Sequence, residues 1–133
     1  MRVFLDTNVL VSAFASRGLC ADLFELILLE HELIVETRVL VELRRSMRQK
    51  IKLPAARSDE IVEFVREHTN LLVESGEPIV APVDDDDARV IGEAIAARAE
   101  VFVTGDTAIQ RLGRVGRMDI LSPRAFWDYL HTR

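Results

Sequence analysis

An α/β/α sandwich, three layers around a mainly parallel sheet, is the fold class that this 133-residue chain predicts. Three observations predict it. Short β-branched and aromatic runs alternate with longer amphipathic segments, the pattern of strands joined by helical crossovers. Two of those runs, Arg2-Val3-Phe4-Leu5 and Val101-Phe102-Val103, stop at aspartate-bearing turns, as buried parallel strands do at the edge where ligands bind. The length suits one domain, residues 1–133, and no repeat, linker or low-complexity stretch divides it.

In chain order, Arg2 to Leu5 is the first strand, followed by Asp6-Thr7-Asn8 and a helix over Val9 to Ala15. Arg17-Gly18 breaks that helix. Leu19 to Glu30 makes a second one, whose apolar residues cover more than one face, so it is either sandwiched in the core or used in self-association. Leu33-Ile34-Val35 is the second strand, and Thr37 caps a helix to about Gln49 that buries Val39, Leu40, Leu43 and Met47. Pro54 opens the next helix, with Ile61, Val62, Phe64 and Val65 on its apolar side. Leu71 to Val73 is the third strand, and Ile79-Val80 a short extension or edge piece after the turn at Ser75 to Pro78.

Four consecutive aspartates, Asp84 to Asp87, then start an alanine-rich helix that runs to about Arg98. After the strand ending at Thr104-Gly105-Asp106 come a short helix over Thr107 to Leu112, a loop punctuated by Gly113 and Gly116, and a last strand at Asp119 to Leu121. Ser122-Pro123 is a cap followed by proline at the first helical position, opening a helix with Phe126, Trp127 and Leu130.

Composition narrows the function classes. Hydrophobic residues make up 49% of the chain, which is globular, yet no apolar run approaches the roughly 18 residues that cross a bilayer, and no signal-peptide pattern opens it. A cytoplasmic protein without membrane partners is expected. The lone Cys20 excludes an internal disulfide and suits a small buried hydrophobe. A net charge of −5 is the wrong sign for holding nucleic acid by bulk charge. Local basic stretches remain, one at Arg44, Arg45, Arg48, Lys50 and Lys52 and another at Arg111, Arg114 and Arg117, and either can hold phosphates or be solvated surface.

Four carboxylates have a claim to one site. Asp6 and Asp106 end strands; if those strands are neighbours, about 4.8 Å apart, the pair is costly without a cation between them. Glu42 lies in the early turns of a helix that begins at the same sheet edge, on the border of its buried face. Within the aspartate run, Asp87 shares the inward face of Val90, Ile91 and Ala94, whereas Asp84 or Asp85 is better placed as the cap, and Asp86 is the fallback. Oxygen-only ligands without histidine or cysteine suit Mg²⁺ or Mn²⁺ over Zn²⁺. A cation there can polarise a phosphodiester and activate water for in-line attack. Asn8 and Thr104 are polar neighbours able to orient carboxylates or water, or to serve as turn and cap residues.

Other chemistries fit less well. His31, His68 and His131 are scattered, with no serine or cysteine paired to them, and no glycine-rich phosphate loop occurs. Phosphoaspartyl receiver domains also place acids at strand ends, but they use a strand-end lysine, and Lys50 and Lys52 both follow a helix.

Phe4-Leu5-Asp6-Thr7-Asn8-Val9-Leu10, Glu42, the aspartate-to-alanine-rich helix at 87–97, Val103-Thr104-Gly105-Asp106 and Ile120-Leu121-Ser122-Pro123-Arg124-Ala125-Phe126 together resemble the PIN-domain nucleases, particularly their VapC-like toxin members, over nearly the whole chain. The resemblance implies about five strands in the sheet and a Mg²⁺- or Mn²⁺-dependent endoribonuclease, the toxin of a toxin–antitoxin pair. It implies Asp6, Glu42, Asp87 and Asp106 as metal-site acids, with Asn8 and Thr104 in support. A homodimer and an inhibiting antitoxin partner are implied as well. Arg44, Arg45, Arg48 and Lys50 would guide the RNA. The alternative is a PIN-like binding or interaction module that keeps the fold and has lost turnover.

Overall fold

The computed structural model describes residues 1–132. Its elements are β1 (Arg2–Leu5), α1 (Thr7–Ala15), α2 (Leu19–Glu30), β2 (Glu32–Glu36), α3 (Thr37–Gln49), α4 (Ala55–His68), β3 (Leu71–Val73), α5 (Asp85–Ala96), β4 (Val101–Val103), α6 (Thr107–Gln110), β5 (Arg114–Val115), β6 (Met118–Leu121) and α7 (Pro123–His131). The strands hydrogen-bond in the order β3-β2-β1-β4-β6-β5. Every pairing is parallel except β5 with β6. The mainly parallel α/β/α sandwich predicted from the sequence is therefore the fold.

That strand order places a reversal at the centre of the sheet. From β1 the chain steps outward through β2 to β3, then crosses back over the sheet by α5 to β4 on the other side of β1. Right-handed crossovers put the helices of these opposite steps on opposite faces, which generates the two helical layers. β1 and β4 are thus neighbours whose connections leave in opposite directions, and the crevice outside their carboxyl ends is where such sheets bind ligands.

The central strands are buried on both faces, which is why they read as continuous apolar runs: Val3, Phe4, Leu5, Leu33, Ile34, Val35, Phe102 and Val103 are all fully buried. Phe4 and Phe102 are register partners on β1 and β4 and stack with centroids 4.9 Å apart. Such a pair adds about 0.5–1.5 kcal/mol beyond its buried area. Two residues further along each strand stand Asp6 and Thr104, so the ring stack underlies the edge that carries them.

Several boundaries differ from the sequence expectation, mostly because a side chain at a strand's end caps the helix that follows. Asp6 caps α1, which starts at Thr7 and not Val9. Glu36 caps α3, so Thr37 is helical. Asp84 caps α5 as expected, and the helix stops at Ala96, with Arg98 in the left-handed region at φ 60°. Ile79-Val80 forms no strand; the Ile79 amide bonds instead to the Ala88 carbonyl at 3.1 Å, tying that segment to α5. Arg114–Val115, expected as loop, adds a sixth, antiparallel edge strand too short to show a periodicity. In α2, Leu23, Phe24 and Ile27 enter the core, while Leu29 is 76% exposed. No described helix is long and apolar enough to cross a membrane.

Candidate active site

Asp6 enters the site because β1 ends one residue before it. Its amide still joins the sheet, bonding to the Val103 carbonyl at 3.1 Å, while its side chain turns to cap α1. One carboxylate oxygen, Oδ1, accepts from the Thr7 amide at 2.9 Å; the other, Oδ2, accepts from the Thr104 hydroxyl at 2.8 Å and the Asn8 amide at 3.2 Å. Burial raises its carboxyl above the ordinary aspartate range, and the Glu42 charge adds to that, against the lowering bonds from Thr104, Thr7 and Asn8.

Thr104 is the hub of the arrangement. It is fully buried, donates to Asp6, and its hydroxyl oxygen accepts from the Asp106 amide at 3.0 Å. Asn8 completes the clamp between the two strand ends, accepting from the Gly105 amide at 2.7 Å. A Cβ at Gly105 would lie 3.1 Å from that same Asn8 oxygen, so the glycine permits the close approach. Asn8 and Thr104, expected as supporting polar residues, thus join β1 to β4 directly.

Asp106 caps the short α6, its Oδ1 accepting from Ala108 at 2.8 Å and Ile109 at 3.3 Å. Glu42 reaches the same crevice from α3, where its Oε2 accepts from the Thr7 hydroxyl at 2.8 Å. Asp87 comes from the first turn of α5, on the inward side that its helical spacing predicts. Its carboxyl is pushed up to about 6, by burial first and then by the charges of Asp84, Asp106 and Asp6. Asp86 does not join them: its side chain is 89% exposed and faces Arg89.

Asp6, Glu42, Asp87 and Asp106 line one cleft of about 560 Å³, together with Thr7, Asn8, Val11, Ser12, Arg45, Ser46, Gln49 and Lys50. The four basic residues expected to guide nucleic acid divide. Arg45 and Lys50 line the acidic cleft, whereas Arg44 pairs with Asp59 at 3.0 Å and, with Arg48, lines an adjoining groove beside Val41. Thr7, Ser46 and Gln49 were not singled out in the sequence. A signal was available for two of them, since Ser46 and Gln49 follow Glu42 by four and seven residues and share its helix face.

As they stand, no three of the described acids approach closely enough to enclose one ion. Two of the four are held by backbone amides as helix caps, and a third by Thr7. The donor set is nonetheless all oxygen, and the Asp87 carboxyl, raised first by burial, is raised further by the charges of Asp84, Asp106 and Asp6, which a hard divalent cation would offset. The residues fit such an ion in chemistry, with Asp6 and Asp106 as the nearest pair to the strand ends and Glu42 and Asp87 facing them.

The family model described as PIN domain matches residues 2–108. Among solved structures, the chain is similar to one from VapBC2 of Rickettsia felis, solved bound to a DNA fragment from their promoter: 14% identity, TM-score 0.65, covering 92% of this chain and 98% of that one. It is also similar to a chain from VapBC-1 of nontypeable Haemophilus influenzae, at 17% identity and TM-score 0.64, covering 93% and 99%. At these identities the likeness is one of fold. No curated protein matches the chain.

Proposed function

We propose, from the premise that this chain belongs to the PIN-domain family, that it is a divalent-metal-dependent endoribonuclease acting as the toxin of a toxin–antitoxin pair. The observation that carries this is the cleft itself: four carboxylates from four separate elements line one crevice at the sheet's reversal point, with a basic wall beside them. Folding brings together acids that repel one another. Neither capping nor packing requires all four to face one space.

In this reading Asp6 and Asp106 are the core ligands, and Glu42 and Asp87 complete the cage or hold water around it. Mg²⁺ or Mn²⁺ bound there supplies Lewis-acid polarisation of a phosphodiester and activation of water. The chain's own residues prepare the place. Thr104 and Asn8 fix the Asp6 carboxylate between β1 and β4, and Thr7 holds Glu42 toward it. Arg45 on α3 and Lys50 at its end, three and eight residues after Glu42, both line the cleft and offer phosphate contacts running away from the acids. At about 1.5 Å per helical residue they extend roughly 12 Å from Glu42, a reach suited to phosphates flanking the scissile one.

The assemblies in which the similar chains were solved support a protein partner for this one. The antitoxin would be a protein encoded beside this one, and the protein would work in the cytoplasm as a homodimer of single-domain chains. Leu29, left outside the core on α2, is available to such an interface.

A catalytically silent binding module is the second reading, favoured by one observation: the acids are not closed around a common point in this structure. Incubating a mixed RNA pool with purified protein and Mg²⁺ or Mn²⁺, alongside EDTA and Asp6→Asn controls, decides between them. Metal-dependent cutting lost in both controls is expected. RNA that is bound and never cut, after any bound inhibitor has been removed, would leave the binding module.

A further inference from the structure

Away from the cleft wall, α5 carries a second charged cluster that the reaction above does not use. Glu36, at the end of β2, and Glu93, on α5, are 1% and 3% exposed. Arg89 is their shared cation among the described residues: its Nη1 lies 2.9 Å from Glu93 Oε1 and 3.9 Å from Glu36 Oε1. Glu36 Oε1 also accepts from the Arg38 amide at 3.0 Å and the Thr37 hydroxyl at 3.2 Å. The remaining oxygen of each glutamate, Oε2, is buried without a hydrogen-bond partner among the described residues.

Charge counting then leaves a deficit. Two carboxylates face one guanidinium, and the exposed Asp86, 3.9 Å from Arg89 Nη2, draws on the same cation. Among the described residues no further cation comes from above, where the segment crossing α5 brings Gly76 against Glu93 so closely that a Cβ would stand 2.6 Å from the Glu93 Cα. One surplus negative charge and two orphaned carboxylate oxygens in a buried place are strongly disfavoured. A single proton removes the surplus charge and turns one orphaned acceptor into a donor.

We propose that Glu36 and Glu93 together bind one proton at neutral pH, forming a buried acid pair whose proton belongs to the folded state. The proton is a property of the pair and is not assigned to one residue. In the same direction, burial and then the Glu93 charge hold the Glu36 carboxyl above the ordinary glutamate range, against the opposing Arg38 amide and Arg89. The pair joins the cap of α3 to the body of α5, so it forms the charged seam between the helices that carry Glu42 and Asp87. It stands independently of the nuclease reading, since its test needs no turnover.

The test is carboxyl-carbon NMR of protein labelled at glutamate, titrated through neutrality, with Glu36→Gln and Glu93→Gln beside the wild type. At least one glutamate carboxyl is expected to remain protonated at about pH 7 in the wild type. Its pH midpoint should fall in Glu93→Gln, which removes the Glu93 charge from beside Glu36 and leaves that carboxyl alone with Arg89. Urea unfolding gives the second readout. Because the native state holds the extra proton, its folding constant should fall as pH rises above 4.5, the ordinary glutamate value, by up to about tenfold per pH unit until the pair has ionised. Either glutamine variant should reduce that slope. Wild-type protein with every glutamate carboxyl ionised at neutrality would overturn the proposal, with no variant needed, and so would an unchanged slope in both variants.

Discussion

Replacing Thr104 by valine isolates the group on which the candidate site turns. The two side chains have nearly the same shape, and the residue is fully buried, so the change removes a hydroxyl without opening a cavity. Three bonds disappear: the one donated to Asp6 Oδ2 at 2.8 Å, the one accepted from the Asp106 amide at 3.0 Å, and a long one accepted from the Asn8 side-chain amide at 3.5 Å. A hydrogen bond to an ionised carboxylate contributes about 1.5–3 kcal/mol, and a buried amide left without an acceptor costs about 1–3 kcal/mol. Because neither residue is wholly cut off from water, the lower part of the combined range applies, about 2.5–4 kcal/mol. With a slope near 2 kcal/mol/M, the urea midpoint should fall by about 1–2 M with the slope unchanged. Thr104→Ser separates the contributions, since it keeps the hydroxyl and loses one buried methyl, at about 1 kcal/mol. Calorimetric Mn²⁺ binding should then weaken in the valine variant and survive in the serine one. A valine variant within about 0.5 kcal/mol of wild type would refute the hub argument, because changes of that size are ordinary at unimportant surface sites.

Three further outcomes are expected. The Asp87 carboxyl titrates near 6 in the folded protein against 3.8 when free, so the native state holds an extra proton between those values and metal-free stability falls as pH rises across that window. Asp87→Asn should flatten this fall, measured by urea midpoints at several pH values, and should weaken the stabilisation expected from added Mn²⁺ in the wild type above about pH 6. Removing Arg45 and Lys50, which line the cleft, should weaken RNA binding and its salt dependence in filter-binding assays, whereas Arg44→Ala, which loses a surface pair with Asp59, should change little. Gly92→Ala should destabilise strongly in thermal unfolding: alanine gains about 1 kcal/mol of helix propensity, but its Cβ would sit 1.7 Å from the Glu77 carbonyl oxygen, and backbone must move.

Much of this fold was readable from residue patterns because its strands are buried on both faces and its helices on one. Phe4 and Phe102 announce central strands, and Val39, Leu40, Leu43 and Met47 announce the buried stripe of α3. The two-residue β5 carries no periodicity, and its pairing with β6 is a tertiary fact. Glu36 and Glu93 were invisible for a different reason. A glutamate in a helix or at a strand's end is ordinarily solvated, and only the crossing of the Gly76 segment over Gly92 and Glu93 shows that this one is covered. Asp87 was separable from Asp86 by helical phase alone, and Asp86 does face Arg89 and solvent instead.

The position of the site was easier to infer than its state, and the cause lies in the geometry of strand-to-helix turns. An acid one residue beyond a parallel strand is correctly placed to cap the next helix and also to meet ligands at the sheet edge. Asp6 and Asp106 do the first in this structure: each commits its Oδ1 to backbone amides. Only the other oxygen of each is left for the cleft, and at Asp6 that oxygen already carries bonds from Thr104 and Asn8. A cap of this kind contributes about 1 kcal/mol to its helix. Because each cap uses only one carboxylate oxygen, a cation at the proposed site would meet the other without the caps being surrendered. They hold one oxygen of each acid still while the second faces the crevice. Glu42 is held in the same way, its Oε2 taken by the Thr7 hydroxyl and its other oxygen left for the cleft.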